Sequence, residues 1–160
     1  MVKTMREHER NLTEGLHRLC KDVKNRDSMV EIGSWGGESA VIFAQYFKSV
    51  ICVDPWEDPD VFAAFLERTM THKNIRYMIM TSAEAADSFP SESLSFVYID
   101  GNHKYEAVRN DLRLWLPKIM VGGRISGHDY KEKSHMDVVR AVNSVFGKPT
   151  KVYKDNSWLI

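Results

Sequence analysis

The chain has 160 residues, about one average domain, and its 22 Lys plus Arg are balanced by 22 Asp plus Glu, so the formal net charge is zero. No basic field exists to gather nucleic acid or an acidic membrane surface, and no apolar run approaches the roughly 18 residues that a membrane span requires. The two cysteines, Cys20 and Cys52, form no C-x-x-C or His/Cys cluster, which speaks against a disulfide framework or a zinc module and for buried thiols in a reducing compartment.

The opening stretch MVKTMREHERNLTEG lacks the apolar segment of a signal peptide, and the expectation is a soluble, cytoplasmic protein. Leu12, Leu16, Leu19, Cys20 and Val23 then recur at helical spacing between charged residues, which predicts an amphipathic helix with one core-facing stripe. From Ser28 the texture changes to short apolar runs: SMVEIG, SVICVD, IRYMIMTS, LSFVYID and GGRISGHD. Their β-branched and apolar content predicts strands covered on both faces, as in a parallel sheet. Between them ESAVIFAQYF, PDVFAAFLERTMTH, SAEAADSF and KYEAVRNDLRLWLPKI read as helices, the last with a stripe of Tyr105, Val108, Leu112, Trp115 and Ile119. A final helix is expected from about Met136 to Phe146, after which KVYK and SWLI, separated by Asp155-Asn156, demand a hairpin.

Parallel β-α-β units cross over right-handedly, so the expected architecture is a single α/β domain over residues 1–160. It comprises an N-terminal helix (1–27) and a core (28–160) built as a doubly wound, Rossmann-like sandwich. Its sheet is mostly parallel and closes with an antiparallel C-terminal hairpin.

In such a sheet, ligands bind outside the carboxyl ends of the strands where strand order reverses. The first strand ends in VEIGSWGGESA, whose Gly33, Gly36 and Gly37 let the backbone turn sharply and approach a ligand before a helix begins. A plain strand-to-helix turn is the alternative. Asp54 ends the next strand 21 positions after Gly33, close to the roughly 20-residue offset at which an acid receives ribose hydroxyls in dinucleotide folds. Glu31, just before the loop, would repel a pyrophosphate and favour an ammonium or sulfonium group. The glycine spacing also departs from G-x-G-x-x-G. A cationic nucleoside is therefore expected rather than a dinucleotide. Trp35 and Trp56 either line the cleft or pack at its edge.

With these residues the chain, from about Ser28 to Ile160, resembles the class I S-adenosylmethionine-dependent methyltransferases. The resemblance implies that Glu31, Gly33, Ser34, Trp35, Gly36, Gly37 and Ser39 hold the methionine part of S-adenosylmethionine. It implies further that Asp54 binds the ribose and that Ser82, Ala83 and Glu84 flank the adenine. Within that class, YIDGNHKYEAVRNDLRLWLPKIMVGGRISGHDY is most similar to small-molecule O-methyltransferases of the macrocin type, which modify hydroxyls of sugars and natural products. In metal-dependent members, acids ending the fourth and fifth strands bind magnesium beside the acceptor. By position these are Asp100, also next to the cofactor, and His128-Asp129. His128 stands where a carboxylate is usual, which weakens magnesium and leaves manganese or no metal open; Asp100 and Asp129 are the candidate metal ligands.

Methyl transfer to a hydroxyl needs the acceptor oxygen aligned with the sulfonium methyl and its proton removed. Asp100, His103, His128 and Asp129 are the catalytic candidates. In the plain readings Asp100 caps a helix, His103 caps or touches the cofactor, and His128-Asp129 is a polar turn. His8, His17, His72 and His135 read as surface residues without partners. The leading expectation is a methyltransferase that acts on a small-molecule hydroxyl, as monomer or homodimer, with no nucleic acid or membrane partner. A non-catalytic S-adenosylmethionine-binding module or partner subunit is the alternative, followed by an NAD(P)-linked oxidoreductase.

Overall fold

The computed structural model describes residues 13–131 and 133–160. Helix α1 covers residues 13–22. It is followed by β1 (Ser28–Ile32), α2 (Glu38–Phe43), β2 (Ser49–Asp54), α3 (Pro59–Thr69), β3 (Ile75–Ile79), α4 (Ser82–Asp87) and β4 (Leu94–Ile99). Then come α5 (Tyr105–Trp115), a 3-10 turn (Leu116–Lys118), β5 (Ile119–Gly127), α6 (Met136–Phe146), β6 (Lys151–Val152) and β7 (Trp158–Leu159). The strands form one seven-stranded sheet in the order β3-β2-β1-β4-β5-β7-β6. The first five are parallel, and β7 runs antiparallel to both β5 and β6.

Strand alternation divides the core into two layers, as the pleat requires. Met29, Val50, Cys52, Phe96 and Tyr98 face one way, onto Leu16, Leu19 and Cys20 of α1, Val23 just after it, Phe43 of α2 and Phe65 of α3. Their neighbours Val30, Ile32, Val53, Val97 and Ile99 face the other way, onto α4, α5 and α6 through Ala85, Leu112, Trp115, Val138 and Val142. The predicted stripe of the first helix is thus a core stripe from Leu16 to Val23; its Leu12, and the separate residue His8, lie outside the described residues. Among those residues no helix is long and apolar enough to cross a membrane.

Three local expectations change. Ile119 opens β5 instead of extending the α5 stripe, because Pro117 carries no N–H and its ring obstructs a helix; the chain leaves α5 through the 3-10 turn. β3 lies at the sheet edge and is not covered on both faces: Tyr77 and Ile79 are exposed. The hairpin strands are two residues each, and the turn between them, closed by Tyr153 N–H to Ser157 O at 2.8 Å, is longer than the Asp155-Asn156 pair.

Two helix starts fix loops beside the sheet's carboxyl edge. Asp58 Oδ1 accepts the Asp60 N–H at 2.9 Å ahead of Pro59, which begins α3. Thr81 and Glu84 form a reciprocal capping box at the head of α4.

Candidate active site

The chain leaves β1 and β4, neighbours in the sheet, towards opposite faces, and the loops that follow them meet. Gly33 has φ +82°, and a Cβ there would lie 2.6 Å from the Asp100 carbonyl carbon and 2.7 Å from Gly101 Cα. Asp100 N–H in turn donates to Ile32 O at 2.8 Å. Only glycine permits both that left-handed backbone and that approach. Gly37, with φ +83°, heads α2 against Phe65 and Thr69. The Gly36 carbonyl accepts a hydrogen bond from Arg68, whose guanidinium also pairs with Glu38 at 2.8 Å.

Asp54 fastens this glycine loop to the end of β2. Its carboxylate accepts the Trp35 N–H at 3.0 Å and the Trp56 N–H at 2.8 Å, and the Trp56 indole N–H donates to Trp35 O at 2.8 Å. The two tryptophans differ in position. Trp56 is buried against Phe62, Phe65 and Tyr77, whereas Trp35, held at φ 45°, leaves its side chain 65% exposed. Ser34 is buried. Glu31 is fully buried beneath the loop, where the hydroxyl of Ser39 donates to one oxygen and the thiol of Cys52 to the other. Burial pushes its carboxyl up to about 7, against the pull of the Ser39 hydroxyl.

After β3, Ser82 turns inward, donating to Asp111 at 2.6 Å and accepting the Trp115 indole N–H at 2.9 Å. Ala83 is exposed and Glu84 is engaged in the capping box. Gly33 to Ser39, Asp54, Ser82 to Glu84 and Asp100 therefore lie along one edge of the parallel sheet, with Glu31 buried beneath it. Trp56, Ser82 and Glu84 are also part of the framework that fixes that edge.

The second half of the site lies where β4 and β5 end. His103 Nε2 is 2.6 Å from Asp129 Oδ2 and 3.7 Å from Asp100 Oδ1. His128 Nδ1 is 3.4 Å from Asp129 Oδ2 and 3.7 Å from Asp100 Oδ1. Two imidazoles thus bridge two carboxylates, and all four catalytic candidates come together. His128 Nε2 is buried with no hydrogen-bond partner among the described residues. Asp129 adopts φ 59°, a conformation that Asp tolerates better than most residues. The hairpin holds it there through Tyr130 N–H to Asn156 O at 2.9 Å.

Sequence reading missed one member. His135, expected on the surface without a partner, places Nδ1 3.4 Å from Asp129 Oδ1 and its ring 5.2 Å from that of His103. His17 also has a partner, the Tyr46 hydroxyl at 2.8 Å. A cleft of about 480 Å³ opens beside His103 and His135.

The charges of this cluster are mutually dependent. Asp100 and Asp129 push His103 up to about 10. Burial works against a charge on His128, yet Asp129 and Asp100 outweigh it and raise the ring to about 9. Partial burial likewise opposes a charge on Asp129, but His103 and His128 hold its carboxyl well below the usual range. Burial raises Asp100 despite both imidazoles. Both rings are thus biased towards the charged form.

The stability consequence has a definite sign. The folded value of His128 exceeds its ordinary 6.5, so its contribution is complete below pH 6.5 and is lost as pH rises through about 9. Glu31, raised from 4.5, adds a destabilisation that grows until about pH 7. The thermal midpoint should therefore fall from pH 6.5 to about 9, and less so in His128→Asn. A wild-type midpoint that is flat or rising over that window would contradict these charges.

A family profile described as a methyltransferase domain matches residues 30–130, more than half the chain, from within β1 to the Asp129 loop. Among curated relatives, the uncharacterized protein y4gI of Sinorhizobium fredii is 28% identical over 123 residues, 67% of this chain and 13% of that protein. The uncharacterized protein R132 of Acanthamoeba polyphaga mimivirus is 27% identical over 143 residues, 81% of this chain and 64% of that protein. The chain thus spans less than two thirds of either relative. Among solved structures, the N-methyltransferase NodS of Bradyrhizobium japonicum superposes with a TM-score of 0.69 at 14% identity, covering 96% of this chain and 93% of its own. A geranyl diphosphate methyltransferase solved with S-adenosylmethionine gives 0.65 at 14% identity, covering 87% and 66%. At these identities the superpositions show a shared fold.

Proposed function

The chain belongs to the methyltransferase-domain family matched over residues 30–130, and from that premise we propose that it transfers the methyl group of S-adenosylmethionine to a hydroxyl of a small molecule. The observation that carries this reading is the junction at Gly33 and Asp100. A glycine loop shaped for close approach touches the backbone that presents the acid-histidine cluster. A donor held on the first would face an acceptor held at the second.

In this reading the glycine loop, held against the Asp100–Gly101 backbone at Gly33, cradles the methionine part. Asp54 receives the ribose hydroxyls on lone pairs not used by Trp35 and Trp56, and the residues after β3 flank the adenine. A cleft of about 480 Å³ suits a small acceptor rather than a polymer. In the transfer the acceptor oxygen forms a bond to the methyl carbon as the carbon–sulfur bond breaks. Sulfur keeps the electron pair, leaving S-adenosylhomocysteine. The hydroxyl proton passes to His103, the exposed ring of the cluster, in the fraction of molecules where it is neutral. Asp100 and Asp129 orient that ring and offset the charge it gains. They also present carboxylate oxygens for a divalent ion; with His128 beside them the donor set suits manganese better than magnesium. Such an ion, when bound, polarises the acceptor oxygen.

The test is transfer of labelled methyl from S-adenosylmethionine to a panel of sugars, phenols and hydroxylated natural products, with parallel amine acceptors. Label on a hydroxyl oxygen is the expected result. Cofactor binding without transfer to any acceptor, with or without Mg²⁺ or Mn²⁺, would replace the enzyme reading with that of a binding module or partner subunit. Label only on nitrogen would overturn the O-methylation.

A further inference from the structure

We propose that His103, Asp129 and His135 form a binding site for a first-row transition-metal ion, with open coordination positions facing the adjoining cleft. Potential ligand atoms of the three residues lie within 4.8 Å of one another. The two imidazoles take opposite oxygens of one carboxylate, His103 Nε2 at 2.6 Å from Oδ2 and His135 Nδ1 at 3.4 Å from Oδ1. Metal bonds of about 2.0–2.2 Å set ligand atoms roughly 3–3.5 Å apart, so the His103–Asp129 edge must open by some tenths of an ångström while the His135–Asp129 distance already suits an ion.

Two imidazoles and one carboxylate are a donor set for zinc, iron, cobalt, nickel or manganese, and a poor one for magnesium, which demands oxygen. The three residues come from three separate segments, the β4–α5 loop, the end of β5 and the head of α6, so the protein closes only one side of the ion. The other side is the cleft of about 480 Å³, lined by His103, His135, Asn102 and Ser134. The alternative set, Asp100, His128 and Asp129, adjoins a much smaller space of about 10 Å³. A metal serving an incoming hydroxyl needs the open position. The ion's use in polarising that hydroxyl rests on the proposed methyl transfer, and with the ion bound the proton leaves to solvent in the cleft because His103 is then a ligand and not the base; its binding rests on neither.

The test uses the full chain, without added histidines and freed of metal, titrated calorimetrically with Co²⁺, Mn²⁺, Zn²⁺ and Mg²⁺, with the visible spectrum of the Co²⁺ form as a second readout. One equivalent of Co²⁺ should bind at least about tenfold more tightly than Mg²⁺. His135→Ala and His103→Ala should each weaken it by about tenfold or more, while His72→Ala, outside the cluster, leaves it unchanged. His135→Gln, with circular dichroism, guards against misfolding of the alanine variant. Equal binding of Mg²⁺, no binding of any ion, or an affinity that falls in Asp100→Asn and not in the folded His135 variants would overturn the site. S-adenosylhomocysteine, titrated into the same samples, separates failure of the metal site from failure of the methyltransferase reading.

Discussion

Gly33→Ala is expected to abolish S-adenosylhomocysteine binding and to lower the unfolding free energy by at least ~1–2 kcal/mol, the cost of a left-handed backbone in an L-residue. The clash adds to that cost. The new methyl would lie 2.6 Å from the Asp100 carbonyl carbon and 2.7 Å from Gly101 Cα; both are backbone atoms, so neither can rotate aside. The loops after β1 and β4 must separate. A misplacement of about 1 Å at a binding or reacting centre costs about a hundredfold, and here both halves of the site move. Gly122→Ala is the control, since φ is +79° there too but an added Cβ meets nothing within 4 Å. It should lose stability from backbone strain alone and retain binding. Wild-type affinity in a folded Gly33→Ala protein would refute the role given to the loop junction.

Asp129→Asn is expected to reorganise the ionisation of the whole second half of the site. Asparagine keeps the shape of the side chain and tolerates φ 59°, so the backbone stays while the charge goes. His103 and His128 then lose the carboxylate that lies 2.6 Å and 3.4 Å away, and both should titrate well below their values of about 10 and about 9. His128, for which burial opposes the charge, should fall further. Imidazole NMR titration checks this directly. In the wild type, with His103 as base, methyl transfer should rise about tenfold per pH unit below the His103 value. In Asp129→Asn that rise should shift to lower pH, with the plateau about a hundredfold lower because the ring is no longer held in place. Unchanged imidazole titrations, or the same pH-rate profile in both proteins, would remove Asp129 from its orienting role.

Much of this was legible in sequence because it is local. Continuous β-branched and apolar runs such as SVICVD and LSFVYID mark the strands, and the residue ending each run marks the carboxyl edge of the sheet, so the places of Gly33, Asp54, Asp100 and Asp129 at that edge are found without coordinates. Long-range geometry was not legible. His135 follows a loop and begins a helix; only the packing of α6 against α5, with the loop anchored at Asn156, brings it to Asp129. The exposure of β3 is likewise a property of sheet order, since IRYMI reads like the inner strands and differs only by lying at the edge. Pro117 was a visible stop signal, and the helical spacing of Ile119 concealed it.

On the proposed function, the carboxyl edge of β1, β2 and β4 is a site for S-adenosylmethionine. Calorimetric titration of the full chain with S-adenosylhomocysteine tests it most directly, with NAD⁺ as the comparison ligand. One equivalent of S-adenosylhomocysteine should bind and raise the thermal midpoint, Gly33→Ala should remove both effects, and NAD⁺ should give neither. No heat and no thermal protection from S-adenosylhomocysteine, or equal protection by NAD⁺, would contradict the account.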